Sequence, residues 1–568
     1  SMGWADRQWL NWIDLQDVSY QSSFNWSNGP KGSLQGAGVQ NSLTLRTGAT
    51  LRPNRIWERF GFFRQLKEAQ QQSGEEDREE PSSEEGDGEE GEEGDSSEDG
   101  GLSWEDVPLP DPMGVLRGLA LMVLDIEDFS VNYNGDWSAR SSNVGSLNSD
   151  STDVNVHYRL FDAMQGSGPS VGYRLGLERS VDPGDRVLNS RFQVTDALSN
   201  SHRLEGRTGL SPSESFQIDL SWNVEWRRQS NVTFQSPEEE GGDVGRFRTE
   251  NGENTASVWG FGSVVSLVEK QVNRIRQNQD VSGDTLSAAA VALTNASVAT
   301  DFKSSFLASG GNIGAQGFAP VPLPSWTVRY SGLSDWPLLG SIVKSASLRH
   351  GYSAEYRSSY ATDTKAGDAQ SAPVPELQNF AFRNSDFKVG SARLSERFQP
   401  LLGVNITWPG NLETSVEWST QTETYLRTAN LKVEEVKTNQ LSGSVSYRKR
   451  GLRIPVLGLG RLENQIQFSL TFSRSVNDER SYNLRGAVTA SQGDSFDPAQ
   501  VTDPTNDFVE VRKQTSRLTL TPELTYRLSD RVTADLLVEY EQFNGDNRRP
   551  SYTQVNGGFN VQVSITQN

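Results

Sequence analysis

Three histidines, His157, His202 and His350, are the side chains best suited to hold a metal or move a proton near neutral pH, yet they fall on separate segments with no ligand spacing between them. A surface or lumen position is expected for each. The chain has no cysteine, which removes thiolate metal sites and disulfides. No phosphate-loop or dinucleotide-binding glycine pattern joins a strand to a helix. The remaining candidates are carboxylates: Asp219, Glu225, Glu463, Asp535, Glu539 and Glu541 are expected opposite an apolar face. Acid–base catalysis on a sheet needs a Ser/His or paired-carboxylate arrangement on neighbouring strands, and isolated acids on a polar face do not supply it. The chain is therefore expected to be no enzyme, with no catalytic residue, no cofactor and no metal. Its carboxylates would solvate, and set the potential of, a water-filled passage.

These residues must be positioned by strands. Phe216, Ile218, Leu220, Trp222, Val224 and Trp226 take every second position of an eleven-residue segment, separated by Gln217, Asp219, Ser221, Asn223 and Glu225. Strict alternation predicts a strand with one apolar and one wet face. A tilted transmembrane strand needs about 9–11 residues, roughly twice the usual strand of a soluble domain. Six apolar side chains at about 1.5–3 kcal/mol each give on the order of 10 kcal/mol of transfer free energy, before entropy and reference-state corrections. A one-residue slip of register would turn Asp219 and Glu225 to the apolar side. The apolar set is accordingly predicted to face lipid and the polar set a lumen.

The pattern recurs in Leu518, Leu520, Pro522, Leu524, Tyr526 and Leu528, in Val532, Ala534, Leu536, Val538 and Tyr540, and in Phe559, Val561, Val563 and Ile565. Only 34% of the 568 residues are hydrophobic and mean hydropathy is −0.60, a composition that suits a barrel with a polar interior better than a soluble sandwich of this size. No run of 18 apolar residues occurs; the nearest, Val115 to Ile126, is interrupted by Arg117 and Asp125. The first residues lack a basic region followed by an apolar core, so the chain is expected to be cytoplasmic or a piece of a longer protein. Much of the net charge of −21 sits between Glu75 and Asp99, where fifteen acidic residues stand against one Arg. With that sign and no basic stripe in the sequence, nucleic-acid binding is not expected.

Along the chain, residues 1–73 are predicted to hold strands at Val18–Trp26 and Leu43–Thr47 and a short helix from Ile56 to about Gln70. Residues 74–101 form an acidic, disordered loop. Residues 102–262 return to strands, near Phe129–Tyr133, Val154–Tyr158, Val171–Leu177 and Phe192–Leu210 as well as at 216–226. Residues 263–320 form a helical and irregular insert, in which Val264, Leu267, Val268, Val272 and Ile275 mark a helix that packs as a loop or plug. Residues 321–568 carry the C-terminal strands, among them Trp326–Tyr330, Ala346–Tyr356, Val404–Trp408, Val416–Trp418, Leu431–Val433, Val445–Tyr447, Ile466–Phe472 and Tyr482–Val488. The total is roughly twenty strands. Trp26, Trp222, Trp226, Trp326, Trp408 and Trp418 fall near expected strand ends, which suits aromatic girdles at two membrane interfaces or, alternatively, ordinary β-sheet packing, for which aromatics are also favoured. The fold expected is an all-β, large antiparallel transmembrane β-barrel with a few short helices in its loops.

Several stretches resemble the SprA/Sov family of giant outer-membrane proteins: Pro322–Leu333, Ser347–Tyr352 with Tyr356, Phe398–Trp408 with Asn411, Asn439–Arg448 and Pro550–Ile565. Gln40–Ser42 and Gly168–Tyr173 fit as well. The resemblance is spread over nearly the whole chain and covers the C-terminal part of the family's length; the acidic segment and residues 278–317 depart from it. It implies a fragment of a very large single-chain barrel in the bacterial outer membrane, the translocon of the type IX secretion system, also tied to gliding motility. By that resemblance the protein conducts folded or partly folded cargo from periplasm to cell surface. Its implied partners are outer-membrane lipid, a smaller barrel protein that collects cargo, a periplasmic plug protein, secreted cargo with a C-terminal sorting domain and the remainder of the same barrel. A porin or ligand-gated outer-membrane transporter, or a soluble secreted β-rich surface protein, is the alternative.

Overall fold

The computed structural model describes residues 12–27, 36–53, 55, 126–144, 146–147, 154–155, 169–179, 181, 194–235, 245–282, 295–307, 322–335, 339–362, 387–451, 465–484, 509–529, 532–546 and 548–563. They form strands β1 (Ile13–Leu15), β2 (Ser19–Ser27), β3 (Ala37–Leu51), β4 (Phe129–Val144), β5 (Ser146–Leu147) and β6 (Val154–Asn155). Helix α1 (Val171–Arg174) precedes β7 (Val194–Ser213), β8 (Phe216–Gln235) and β9 (Gly245–Ser257). Helices α2 (Val264–Ser282) and α3 (Asn295–Phe306) come next, followed by β10 (Ser325–Tyr330), a 3-10 turn (Gly332–Asp335) and β11 (Ser345–Thr362). The remainder is a meander of β12 (Phe387–Trp408), β13 (Leu412–Arg427), β14 (Lys432–Arg450), β15 (Gln465–Asn483), β16 (Val509–Ser529), β17 (Val532–Asn544) and β18 (Tyr552–Val563).

Sixteen of these strands join one antiparallel sheet. The order runs from β1 and β2, both on β3, through β4, β7, β8, β10 and β11, and then consecutively to β18. Among the described residues the sheet does not close, since β1 and β2 lie at one edge and β18 at the other. All-β architecture is thus established, with few and short helices. The tight turns at 214–215, 409–411 and 530–531 lie at one end of the sheet together with the longer connections 52–128 and 451–464; the other end carries the turn at 428–431 and the connections 145–193, 363–386 and 485–508.

One lane of the sheet is composite. β9 pairs with the far half of β8, from Gln235↔Gly245 to Val224↔Ala256, and β10 pairs with the near half, from Ser221↔Ser325 to Phe216↔Tyr330. The chain leaves the lane after Ser257, builds α2 and α3, and rejoins it at Ser325. The join is stitched by Leu323 N donating to Ser257 O at 2.9 Å, Val258 N to Ala354 O at 2.9 Å, and Asn223 N to Ser257 Oγ at 3.1 Å. The helix predicted from Val264 onward is α2, and it packs with α3 on the sheet: Val264, Leu267, Val268, Val272, Val298, Phe302 and Phe306 are buried against Tyr352, Tyr356, Leu394, Leu426, Val433 and Tyr482. Asp301 ties the two helices together by accepting from Gln271 Nε2 and Arg274.

Two sequence expectations are corrected. Residues Val171–Leu177 alternate like a strand but form α1 and a turn, because Ser170 Oγ accepts from Tyr173 N at 3.0 Å and caps the helix while Gly176 takes a left-handed φ of 77°. Leu431 is likewise no strand residue; it sits in the tight turn before β14 with φ 53°. The expected helix at 56–70, the acidic segment and Glu463 lie outside the described residues.

Candidate functional site

The arrangement that invites function is the pair of faces of the sheet. On β8 the alternation puts Phe216, Ile218, Leu220, Trp222, Val224 and Trp226 on one face and Gln217, Asp219, Ser221, Asn223 and Glu225 on the other. Cross-strand register carries the first face across the sheet. One row runs Trp408, Leu412, Tyr447, Phe468, Leu524, Leu536 and Phe559 over seven neighbouring strands. A parallel row runs Val404, Val416, Gly443, Phe472, Leu520, Tyr540 and Val555. These side chains are not sealed inside protein: Val416, Trp418 and Phe559 are 45%, 48% and 71% exposed. Exposed apolar rows on this scale exceed what a soluble surface carries without a partner.

The apolar band is shorter than the strands that bear it. On β16 it spans Leu518–Tyr526, nine of 21 residues, or about 27 Å along the strand. At a tilt of about 40° that gives roughly 21 Å of height, close to the apolar belt of an outer-membrane barrel. Farther from the short turns the same face turns polar, with Thr422, Lys437 and Asp478 in one row and Thr424, Glu435 and Arg480 in the next. Beyond these rows α2 and α3 cover it. Helix α1 and the segment behind it cover the corresponding part of β3 and β4, where Tyr173 is buried against Val39, Ala139 and Val144 and its carbonyl accepts from Asn41 Nδ2 at 2.6 Å. At the short-turn rim, Leu333 of the 3-10 turn packs with Val343 and Ala346 against Ile406 and Trp408.

The opposite face is wet and ion-paired. Gln217 donates to Asp219 Oδ1 at 3.0 Å, Arg329 lies 3.5 Å from Asp219, and Arg227 lies 2.5 Å from Glu225. Asp535, Glu539 and Glu541 stand on this face of β17, and Arg517 reaches Glu541 at 3.3 Å. Hydroxyls fill the meander: Ser415, Ser444, Thr471 and Thr521 form one row, with Ser415 and Ser444 hydrogen-bonded at 2.7 Å. Open clefts of about 610, 310 and 210 Å³ lie along β4 to β15.

His202 is not where the sequence suggested. His202 is 4% exposed and lies on the apolar side, because it pairs with Trp226. It stacks on Trp226 at 5.1 Å, meets Trp137 edge-on at 5.0 Å, and its Nδ1 bonds Tyr133 Oη at 2.8 Å. His350 is on the same face, with Nδ1 on Leu401 O at 2.7 Å. His157 lies outside the described residues. The two described histidines therefore serve packing, and among the described residues no cluster of three His, Cys, Asp or Glu side chains could hold a metal ion.

Sequence reading missed the arginines of the wet face, since they alternate with aromatic and aliphatic residues on strands chosen for their apolar side. Their signal was present in Arg329, between Val328 and Tyr330, in Arg349, between Leu348 and His350, and in Arg357, which follows Tyr356. No helix among the described residues is long and apolar enough to cross a membrane, a statement that does not bear on strands. No model of a known protein family matches the sequence, and no curated protein matches it either.

Proposed function

We propose that the chain is part of the wall of a very large outer-membrane β-barrel, with the face of Phe216 toward lipid and the face of Asp219 toward a water-filled passage. The observation that carries this reading is the registered apolar band, seven to nine residues deep and crossing seven consecutive strands, directly behind an ion-paired, hydroxyl-rich face. The free edges at β1/β2 and β18 are where the remainder of the barrel would pair. The resemblance to the SprA/Sov family narrows the reading to the protein-conducting channel of type IX secretion, passing folded or partly folded cargo from periplasm to cell surface without chemistry of its own. A smaller barrel protein would deliver cargo bearing a C-terminal sorting domain, and a periplasmic protein would plug the passage.

Two measurements test the proposal. Cell fractionation with heat-modifiable gel migration should place the protein with the outer membrane, and recovery in the soluble fraction would refute the wall. Depletion followed by proteomics of the medium should leave sorting-domain cargo inside the cell, whereas loss of small-solute uptake alone would favour a porin.

A further inference from the structure

Some charged residues in direct register on the wet face meet their opposites: Arg203 faces Glu225, Arg227 faces Glu253, and Glu479 faces Lys513. Three pairs do not: Arg427 of β13 faces Lys432 of β14, and two more lie together on adjacent strands. Arg329 of β10 lies directly opposite Arg349 of β11, and Arg357 of β11 directly opposite Arg393 of β12. Like charges in direct register destabilise a sheet. Arg397 stands between them, opposite Ser353. Five arginines against one carboxylate, Glu355, thus line this face of β10, β11 and β12, in a protein of net charge −21.

The flanking strands relieve this only in part. Asp219 lies 3.5 Å from Arg329, Glu253 3.0 Å from Arg357, and Glu423 is shared by Arg393 at 2.6 Å and Arg397 at 3.9 Å. Arg349 has no ion pair among the described residues, and the other four side chains are about half exposed. Each guanidinium carries five N–H donors, most of which these contacts leave unused. Ser395, between Arg393 and Arg397, has a buried Oγ with no hydrogen-bond partner and lines the 310 Å³ cleft together with Arg357, Arg393 and Arg397.

We propose that this arginine stripe binds an acidic polypeptide segment in extended conformation. The spacing argues for that ligand. Arg349, Arg397 and Arg357 follow one another at intervals of four residues along β11, about 13 Å each, which is four residues of an extended chain. Carboxylates at every fourth residue would meet them in turn, while the exposed Ser353 offers a hydroxyl between Arg349 and Arg357. Nucleic acid fits poorly, because Asp219, Glu253 and Glu423 border the stripe and would repel a continuous phosphate backbone. The inference rests on the proposed passage only for the route by which the segment arrives.

The test titrates the full chain, folded in detergent micelles, with a labelled peptide of about nine residues carrying Glu at its first, fifth and ninth positions, read by fluorescence anisotropy. Peptides with Lys or Gln at those positions serve as comparisons. The Glu peptide should bind best, and the binding should weaken as salt rises. Arg349→Gln with Arg397→Gln should weaken it about tenfold, while Arg448→Gln, on the same face of β14, should not. Arg349→Glu with Arg397→Glu should reverse the preference toward the Lys peptide, a result that a misfolded variant would not give. Equal binding of the Glu and Gln peptides, or no response to either double substitution, overturns the stripe. Outer-membrane fractionation of the same variants separates the two readings, since the stripe can fail while the protein remains in the membrane, and the reverse.

Discussion

Val416 lies midway along the apolar run of β13, four residues from Leu412 at the turn and four from Thr420. Four residues are about 13 Å along a strand and, at a tilt of about 40°, roughly 10 Å of depth. That puts Val416 near the middle of a band about 21 Å high, with Val404 and Gly443 as its cross-strand neighbours. The Val416→Arg substitution distinguishes lipid from water on this face. In water, a residue already 45% exposed exchanges for Arg with a change within about 0.5 kcal/mol. At a bilayer midplane the same exchange costs about 2–4 kcal/mol, falling to about 0–1 kcal/mol near the interface.

The expected order is therefore Val416→Arg far above Leu412→Arg, with Thr471→Arg on the wet face within about 0.5 kcal/mol of the unsubstituted chain. At about 3 kcal/mol the folded-to-unfolded ratio falls roughly 150-fold. The measurement is urea-dependent folding into phospholipid vesicles, followed by tryptophan fluorescence and by heat-modifiable migration. If Val416→Arg and Leu412→Arg both cost under about 0.5 kcal/mol, the face meets water and the membrane reading fails.

Three further outcomes follow from particular contacts. A Cβ at Gly206 would lie 2.1 Å from the Trp222 ring, so Gly206→Ala should destabilise by about 1–3 kcal/mol, and adding Trp222→Leu should recover more than about 0.5 kcal/mol; strict additivity in urea titrations would contradict this packing. Tyr133→Phe removes the partner of His202 Nδ1 and should lower stability by about 1–3 kcal/mol, and an unmoved midpoint would mean that the ring has no need of that bond. Asp301→Asn weakens the tie from α3 to Gln271 and Arg274, and should speed proteolysis between residues 258 and 307 while leaving the sheet's urea midpoint in place; unchanged cleavage would show that apolar packing alone holds the helices.

Legibility in the sequence followed burial. β8 begins at Phe216 and β17 at Val532, where the alternation placed strands, because a face that stays apolar in every second residue leaves a periodic trace. β9 left none: Gly-Arg-Phe-Arg-Thr-Glu-Asn-Gly-Glu-Asn-Thr-Ala-Ser is held by backbone pairing to β8 and β11, with Glu250 and Asn254 buried on the face where other strands carry leucine or valine. The far half of β12 hid for the same reason, since Arg393 and Arg397 occupy its wet face and Val389, Ala392, Leu394 and Phe398 mark the other only irregularly across a bulge. Val171–Leu177 misled in the opposite sense. Its alternation is genuine, but Ser170 and Gly176 supply a cap and a left-handed corner, and local hydrogen bonding outweighs a four-residue pattern. The arginine stripe depends on register, which no single strand's sequence reveals.

The composite lane explains why the strands outrun the band. A single strand through β9 and β10 would need no excursion, yet the chain leaves at Ser257 and returns at Ser325, and closing such a loop costs only slowly more as it lengthens. What the excursion adds is cover. α2 and α3 lie on the face of Phe216, beyond the polar rows that end the apolar band, and bury Tyr356, Leu394, Leu426, Val433 and Tyr482. Without that cover these residues would extend apolar surface well past the height of a bilayer. α1 does the same for Val39 and Ala139, and the 3-10 turn for Ala346 at the opposite rim. On the proposed reading each of these elements would trim the apolar face to membrane height from outside, and each docks on the side away from Asp219. A wall that enclosed the proposed passage would need this asymmetry, because helices packed on the other face would occupy that space.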